Sequence, residues 1–153
     1  MENNESNQSR TVVMLNGLLA DSFTMFLKLW QYHWNVRGTM FGNNHAYLQE
    51  LYEKEYDRID ALAERIRVLD GRPVSSMREM LERNHIQEVP ATAPVPTGKE
   101  IWVAVHADWK TLIGGIKMVH GQLPEDDLGT RTLLEDTLVE MEKEAWMIRS
   151  RTE

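Results

Sequence analysis

Between Gly71 and Gly98 the chain reads GRPVSSMREMLERNHIQEVPATAPVPTG, and the arrangement of everything else follows from how this stretch is read. Ser76 and Glu79 stand at capping-box spacing, which opens a short helical piece through Met80 and Leu81. Pro90, Pro94 and Pro96 then forbid a helix, because each removes a backbone donor and biases the preceding residue toward extended geometry. The stretch is therefore a long surface connection with a small helix inside it. Upstream, Leu48, Tyr52, Tyr56, Ile59, Ala63, Ile66 and Leu69 recur at steps of three and four. They predict a helix that follows the candidate cap Asn44 and stops at Gly71 and Pro73. Downstream, Thr97 and Glu100 give a second capping-box signal. A seam of Trp102, Val105, Trp109, Leu112, Ile116 and Val119 follows it and runs to Gly121 across Gly114 and Gly115.

The same periodicity fills both ends of the chain. Val12, Leu15, Leu19, Phe23, Phe26, Trp30 and Trp34 predict a core-facing stripe on a first helix that ends near Gly38. Leu134, Leu138, Met141, Ala145 and Ile148 predict the last helix, after an acid-rich turn from Pro124 to Gly129. No segment alternates as a strand would. Four long helices with short first and third connections and one long middle connection describe an all-α, ferritin-like four-helix bundle. The short helix lies in the crossover between the second and third helices. A cytokine-type bundle would need two long crossovers. With 153 residues, 42% of them hydrophobic, the chain is expected to form one domain over residues 11–153 behind a flexible polar tail at residues 1–10.

Charge and composition narrow the function. Seventeen Lys and Arg face 24 Asp and Glu, a formal net charge of −7, which argues against a surface built for nucleic acid phosphates. There is no cysteine, so disulfides, Cys-type zinc sites and thiol catalysis are excluded, and any metal must sit on His, Asp or Glu. The N-terminus has no apolar signal region, and no run approaches the roughly 18 apolar residues of a membrane span. A soluble cytoplasmic protein with no membrane partner is expected.

His33, His45, Asp60 and Glu64 are the candidate metal ligands. Asp60 and Glu64 are four apart, so both carboxylates project from one helix face toward a common cation. His45 lies fifteen residues earlier on the same helix, roughly 22 Å away at 1.5 Å per residue. One metal cannot span that gap. If the four residues form a site, the carboxylates come from a second subunit whose copy of this helix runs antiparallel across a two-fold axis near Glu53 and Lys54. The alternative for this fold, an intrachain di-iron centre, needs Glu-x-x-His on two helices. Here Glu64 is followed three residues later by Arg67, and the last helix carries Glu140, Glu142 and Glu144 but no histidine.

His33-Trp34-Asn35-Val36-x-Gly38, Phe41, His45, Asp60, Ala63, Glu64 and Arg65 resemble the Dps family of mini-ferritins over nearly the whole chain. The resemblance implies that His33, His45, Asp60 and Glu64 are iron ligands shared between subunits of a homododecamer built from two-fold dimers. It implies a ferroxidase that takes Fe(II) to Fe(III), with hydrogen peroxide or oxygen as oxidant, and stores ferric mineral inside a cage. Zinc competes for such ligands. Trp34 would lie near the metals, although a core tryptophan accounts for the same residue. Gln49 replaces an acid that many relatives carry near the metal, and Thr132 stands where an aspartate is common. The turn of Glu125, Asp126 and Asp127 resembles the family's acidic pore, but a helix N-terminus equally favours those charges. Some relatives condense DNA through a lysine-rich tail. This chain offers only Arg10 in its first ten residues, so DNA binding is disfavoured. Two other readings remain, a DNA-condensing structural cage and a non-catalytic metal-buffering cage.

Overall fold

The computed structural model describes residues 2–153, with side chains from residue 8 onward. Five helices follow one another: α1 (Glu2–Asn35), α2 (Phe41–Val68), α3 (Met77–Arg83), α4 (Gly98–Gln122) and α5 (Leu128–Arg149). No strand occurs among the described residues, and α3 lies in the long crossover as expected. Contacts at the helix ends set the directions. Gln8 Nε2, near the start of α1, donates to the carbonyl of Leu69 just past α2, so these two helices are antiparallel. Trp102 near the start of α4 donates to Asn44 near the start of α2, so α4 runs parallel to α2 and the crossover must travel the length of the bundle. Arg65, late in α2, reaches Asp127 and Thr130 at the start of α5, which closes an antiparallel pair again.

Polar side chains of α1 hold the crossover in place. Asn16 donates to the carbonyl of Arg72 and accepts from the backbone N–H of Val74. Asp21 accepts from the backbone N–H groups of His85 and Ile86. Asn84 donates to Thr24. Asn16, Asp21 and Thr24 are all buried, so these bonds satisfy groups that would otherwise be costly to desolvate. Val74, Met80 and Ile86 of the crossover are thereby packed into the core.

Both N-terminal caps fall where the spacing predicts. Ser76 accepts from the backbone of Glu79, and Thr97 and Glu100 bond reciprocally. Three local expectations need correction. Asn44 is not a cap: Met40 holds that position, and Asn44 is buried one turn into α2 as the acceptor for the Trp102 indole at 3.0 Å. Residues 2–10, expected as a tail, continue α1, and Arg10 bonds Gln122 across the bundle. The stretch Gln8–Asn35 is long and apolar enough to cross a bilayer, contrary to the sequence reading, yet 61% of its apolar window is buried inside the bundle, as a core helix requires.

The core stripes of α1 and α2 are also rotated from their expected positions. On α1 the fully packed residues are Leu15, Leu18, Leu19, Met25, Leu29 and Tyr32, while Phe23, Phe26 and Trp30 are half-buried and Trp34 is 64% exposed. On α2 the buried line is Asn44, Tyr47, Leu48, Leu51, Glu55, Arg58, Leu62 and Ile66. Tyr52, Ile59 and Ala63 are half-buried, and Tyr56 is 64% exposed. Each helix is apolar on two adjacent faces, and hydrophobic periodicity alone does not tell the inward face from a second one. The α4 seam is buried at every expected position.

Candidate metal centre

The turn between α1 and α2 brings His33 and His45 together. Gly38 sits at φ 107, a left-handed conformation that costs glycine nothing and lets the chain reverse within a few residues. His33 Nδ1 donates to the carbonyl oxygen of His45 at 2.9 Å, and His45 Nδ1 donates to the carbonyl oxygen of His33 at 2.9 Å. A carbonyl only accepts, so both Nδ1 atoms carry the proton, and in the neutral rings both Nε2 lone pairs stay free. That is the tautomer a metal-binding imidazole needs, fixed by a second hydrogen bond. The two rings stack at 3.7 Å between centroids. Phe41 stacks on His45 at 5.0 Å, and Tyr52 meets His33 edge-on at 5.3 Å, so ring packing holds the pair from both sides.

Asp60 and Glu64 lie elsewhere. Both are exposed on the outward strip of α2, which runs through Gln49, Glu53, Tyr56, Asp60 and Glu64. Among the described residues neither carboxylate has an ion-pair or side-chain hydrogen-bond partner. Both remain roughly 22 Å or more from His45 along α2. Among the described residues of one chain, no three His, Asp or Glu side chains converge as a metal site. One chain therefore holds, at opposite ends of one strip, a preorganised pair of imidazoles and an unengaged pair of carboxylates.

The surroundings of this strip are apolar and open. Trp34, Phe41 and Tyr56 are 64%, 47% and 64% exposed. Trp34 stacks on Trp30 at 5.0 Å, and Trp30 packs against Phe26 at 4.9 Å, which makes an aromatic ladder along the end of α1. Trp34 is therefore not a core residue. Gln49 donates to Glu53 at 2.7 Å along the same strip. In the acidic turn, Asp127 caps α5 by accepting from Thr130 and pairs with Arg65 at 2.8 Å. A helix-terminus role thus accounts for Asp127.

Sequence reading missed a second polar group. Glu55, Arg58 and Glu144 form a buried ion network inside the bundle, with Arg58 between the two carboxylates. The signal in the sequence is Glu-x-x-Arg on α2, and an apolar stripe does not reveal charged core positions.

The ferritin-like domain family matches residues 13–153. DNA protection during starvation protein 2 of Bacillus anthracis is 35% identical over 143 residues, covering 92% of this chain and 95% of that protein. The DNA protection during starvation protein of Helicobacter pylori is 32% identical over 142 residues, covering 92% of this chain and 97% of its own length. The crystal structure of a Dps protein from Vibrio cholerae O1, described as a member of a broad superfamily of ferritin-like diiron-carboxylate proteins, superposes with a TM-score of 0.92 at 29% identity. It covers 97% of this chain and 92% of that one. Because the helical fold, the family match over residues 13–153 and relatives matched almost end to end agree, the chain belongs to the Dps family of ferritin-like proteins.

Proposed function

We propose that this protein is a ferroxidase that oxidises Fe(II) at sites shared between two copies of the chain and stores the ferric product inside a hollow homododecamer built from two-fold dimers. The observation that carries this reading is the reciprocal His33 and His45 bonding, which leaves two Nε2 atoms free at one end of an exposed strip. Asp60 and Glu64 stand unengaged at the other end. A two-fold axis near Glu53 and Lys54 would set the histidines of each chain against the carboxylates of its partner, giving two equivalent sites per dimer. The exposed Trp34, Phe41 and Tyr56 rings supply apolar surface for that contact.

Imidazole suits Fe(II), and anionic oxygens stabilise the Fe(III) product. Two Fe(II) ions each give one electron to one hydrogen peroxide. The O–O bond breaks, two protons are taken up, and two waters and two Fe(III) leave the step. Paired delivery releases no hydroxyl radical, so storage also protects against oxidative damage. Zinc binds the same ligands and acts as a competing ion. A formal charge of −7 on each chain, multiplied over twelve copies, attracts Fe(II) and opposes DNA.

Anaerobic Fe(II) titration followed by peroxide, with ferric absorbance monitored, tests this. Consumption of about two Fe(II) per peroxide supports it. Fe(II) binding without peroxide consumption would instead identify a metal-buffering cage. A mobility-shift assay at low salt without metal addresses the DNA protection named for the relatives: no retardation is expected, and retardation would favour the DNA-condensing reading.

A further inference from the structure

The inward face of α2 carries two charged residues, and α5 turns a third toward them. Glu55 and Glu144 are 0% and 2% exposed. Arg58 Nη1 lies 2.5 Å from Glu55 Oε1, and its Nη2 lies 2.7 Å from Glu144 Oε2. The guanidinium sits over the ring of Trp109 on α4 at 5.6 Å from the centroid. Lys54 Nζ approaches Glu144 from the opposite side at 3.1 Å. Stability alone does not require such a triad, since apolar residues of like volume often pack as well or better.

The positions have a meaning in this fold. Ferritin-like di-iron bundles build an intrachain centre from Glu-x-x-His motifs on two helices and single glutamates on the other two, all pointing inward. Glu55 and Arg58 reproduce that spacing on α2, with arginine where the histidine would stand, and Glu144 is an inward carboxylate on α5. Acids on the other two helices are engaged: Asp21 of α1 by the crossover backbone and Asp108 of α4 by Lys28 at 2.5 Å. One guanidinium and one ammonium balance two carboxylates, the charge that a single divalent ion would bring. An arginine does not deprotonate in a protein, so this counter-ion is permanent. Burial pushes the Glu55 carboxyl above its usual range, while the Arg58 guanidinium beside it pulls the other way. A pocket of about 320 Å³ opens beside Arg58, lined mostly by apolar side chains such as Leu18, Leu62 and Leu134 together with Asp57 and the exposed Glu140.

We propose that Arg58 is a specificity-determining residue whose guanidinium occupies, as a built-in cation, the bundle position at which this fold can hold metal, and so keeps divalent iron out of the subunit core. That this directs iron to the site between chains rests on the function proposed above. The test uses Co(II) alone as probe, with anomalous diffraction and equilibrium dialysis on the assembled wild-type protein and on Arg58→His, Arg58→Ala and Arg58→Lys. Wild type and Arg58→Lys are expected to show no Co(II) between Glu55 and Glu144. Arg58→His and Arg58→Ala should each gain about one Co(II) per subunit there, the imidazole variant more tightly. A core Co(II) peak in wild type overturns the proposal, as does a folded Arg58→His and Arg58→Ala pair with no added ion. If these variants fail to assemble without metal, Co(II) during refolding should restore them, and failure to do so also overturns it. Co(II) at His33 and His45 in the same wild-type crystals reports the inter-subunit reading separately.

Discussion

A complementation experiment separates a shared site from one held within a chain. Take one chain with His45→Ala and another with Asp60→Ala. Assembled alone, each breaks every shared site, because each site needs histidines from one chain and carboxylates from the other. In a mixed dimer both lesions fall on the same site, while the second site receives intact histidines from the Asp60→Ala chain and intact carboxylates from the His45→Ala chain. A purified mixed dimer keeps about half of wild-type activity per subunit, and random pairing of equal amounts keeps about a quarter. The geometry behind this is the roughly 22 Å from His45 to Asp60 along α2, which no single ion bridges. The control is His33→Ala mixed with His45→Ala. Both histidines of a site come from one chain, so neither site survives and no activity returns. The assay is Fe(II) oxidised per subunit by peroxide, read as ferric absorbance. Mixed His45→Ala and Asp60→Ala assemblies no more active than their parents would refute the reasoning, and so would recovery in the histidine-only mixture.

Two further outcomes follow from the packing. Asn44→Ala leaves the buried Trp102 indole N–H without its acceptor, at a cost of about 1–3 kcal/mol that should appear as a lower urea midpoint with an unchanged slope. The Tyr47 hydroxyl is pushed from its ordinary 10.0 up to about 12 by burial and then by Glu144 and Glu50, against an opposing pull from Arg151. The folded protein therefore keeps this proton through a range in which the unfolded chain loses it. The stability tied to Tyr47 is full below pH 10 and declines as pH rises toward about 12. Tyr47→Phe should flatten that part of the alkaline decline in denaturant unfolding, and an unchanged decline would remove Tyr47 as its source.

Much of the fold was readable because its signals are local. Ser76 with Glu79 and Thr97 with Glu100 place helix starts by hydrogen bonds three residues long, and three prolines between Val89 and Gly98 exclude a helix by covalent geometry. The α4 seam was readable for a related reason: that helix has one apolar face, so periodicity and burial coincide. Asn44 shows the opposite case. Its residue type suits a cap, but its partner is Trp102, fifty-eight positions away, and no local rule reaches that far.

What the sequence by itself determined is the helical order, the single long crossover and the four candidate ligands, because each depends on spacing along one chain. Spacing also determined that His45 and Asp60 cannot serve one metal within a helix. Only the tertiary structure decided which faces of α1 and α2 turn inward, since both helices carry two apolar faces and the choice is made by what packs against them. Only it showed that His33 and His45 each hold the other's ring through a backbone carbonyl, a tautomer set by contact across a turn. And only it placed Arg58 between Glu55 and Glu144, where a charged residue in the core is stable because its partners are brought there from two different helices.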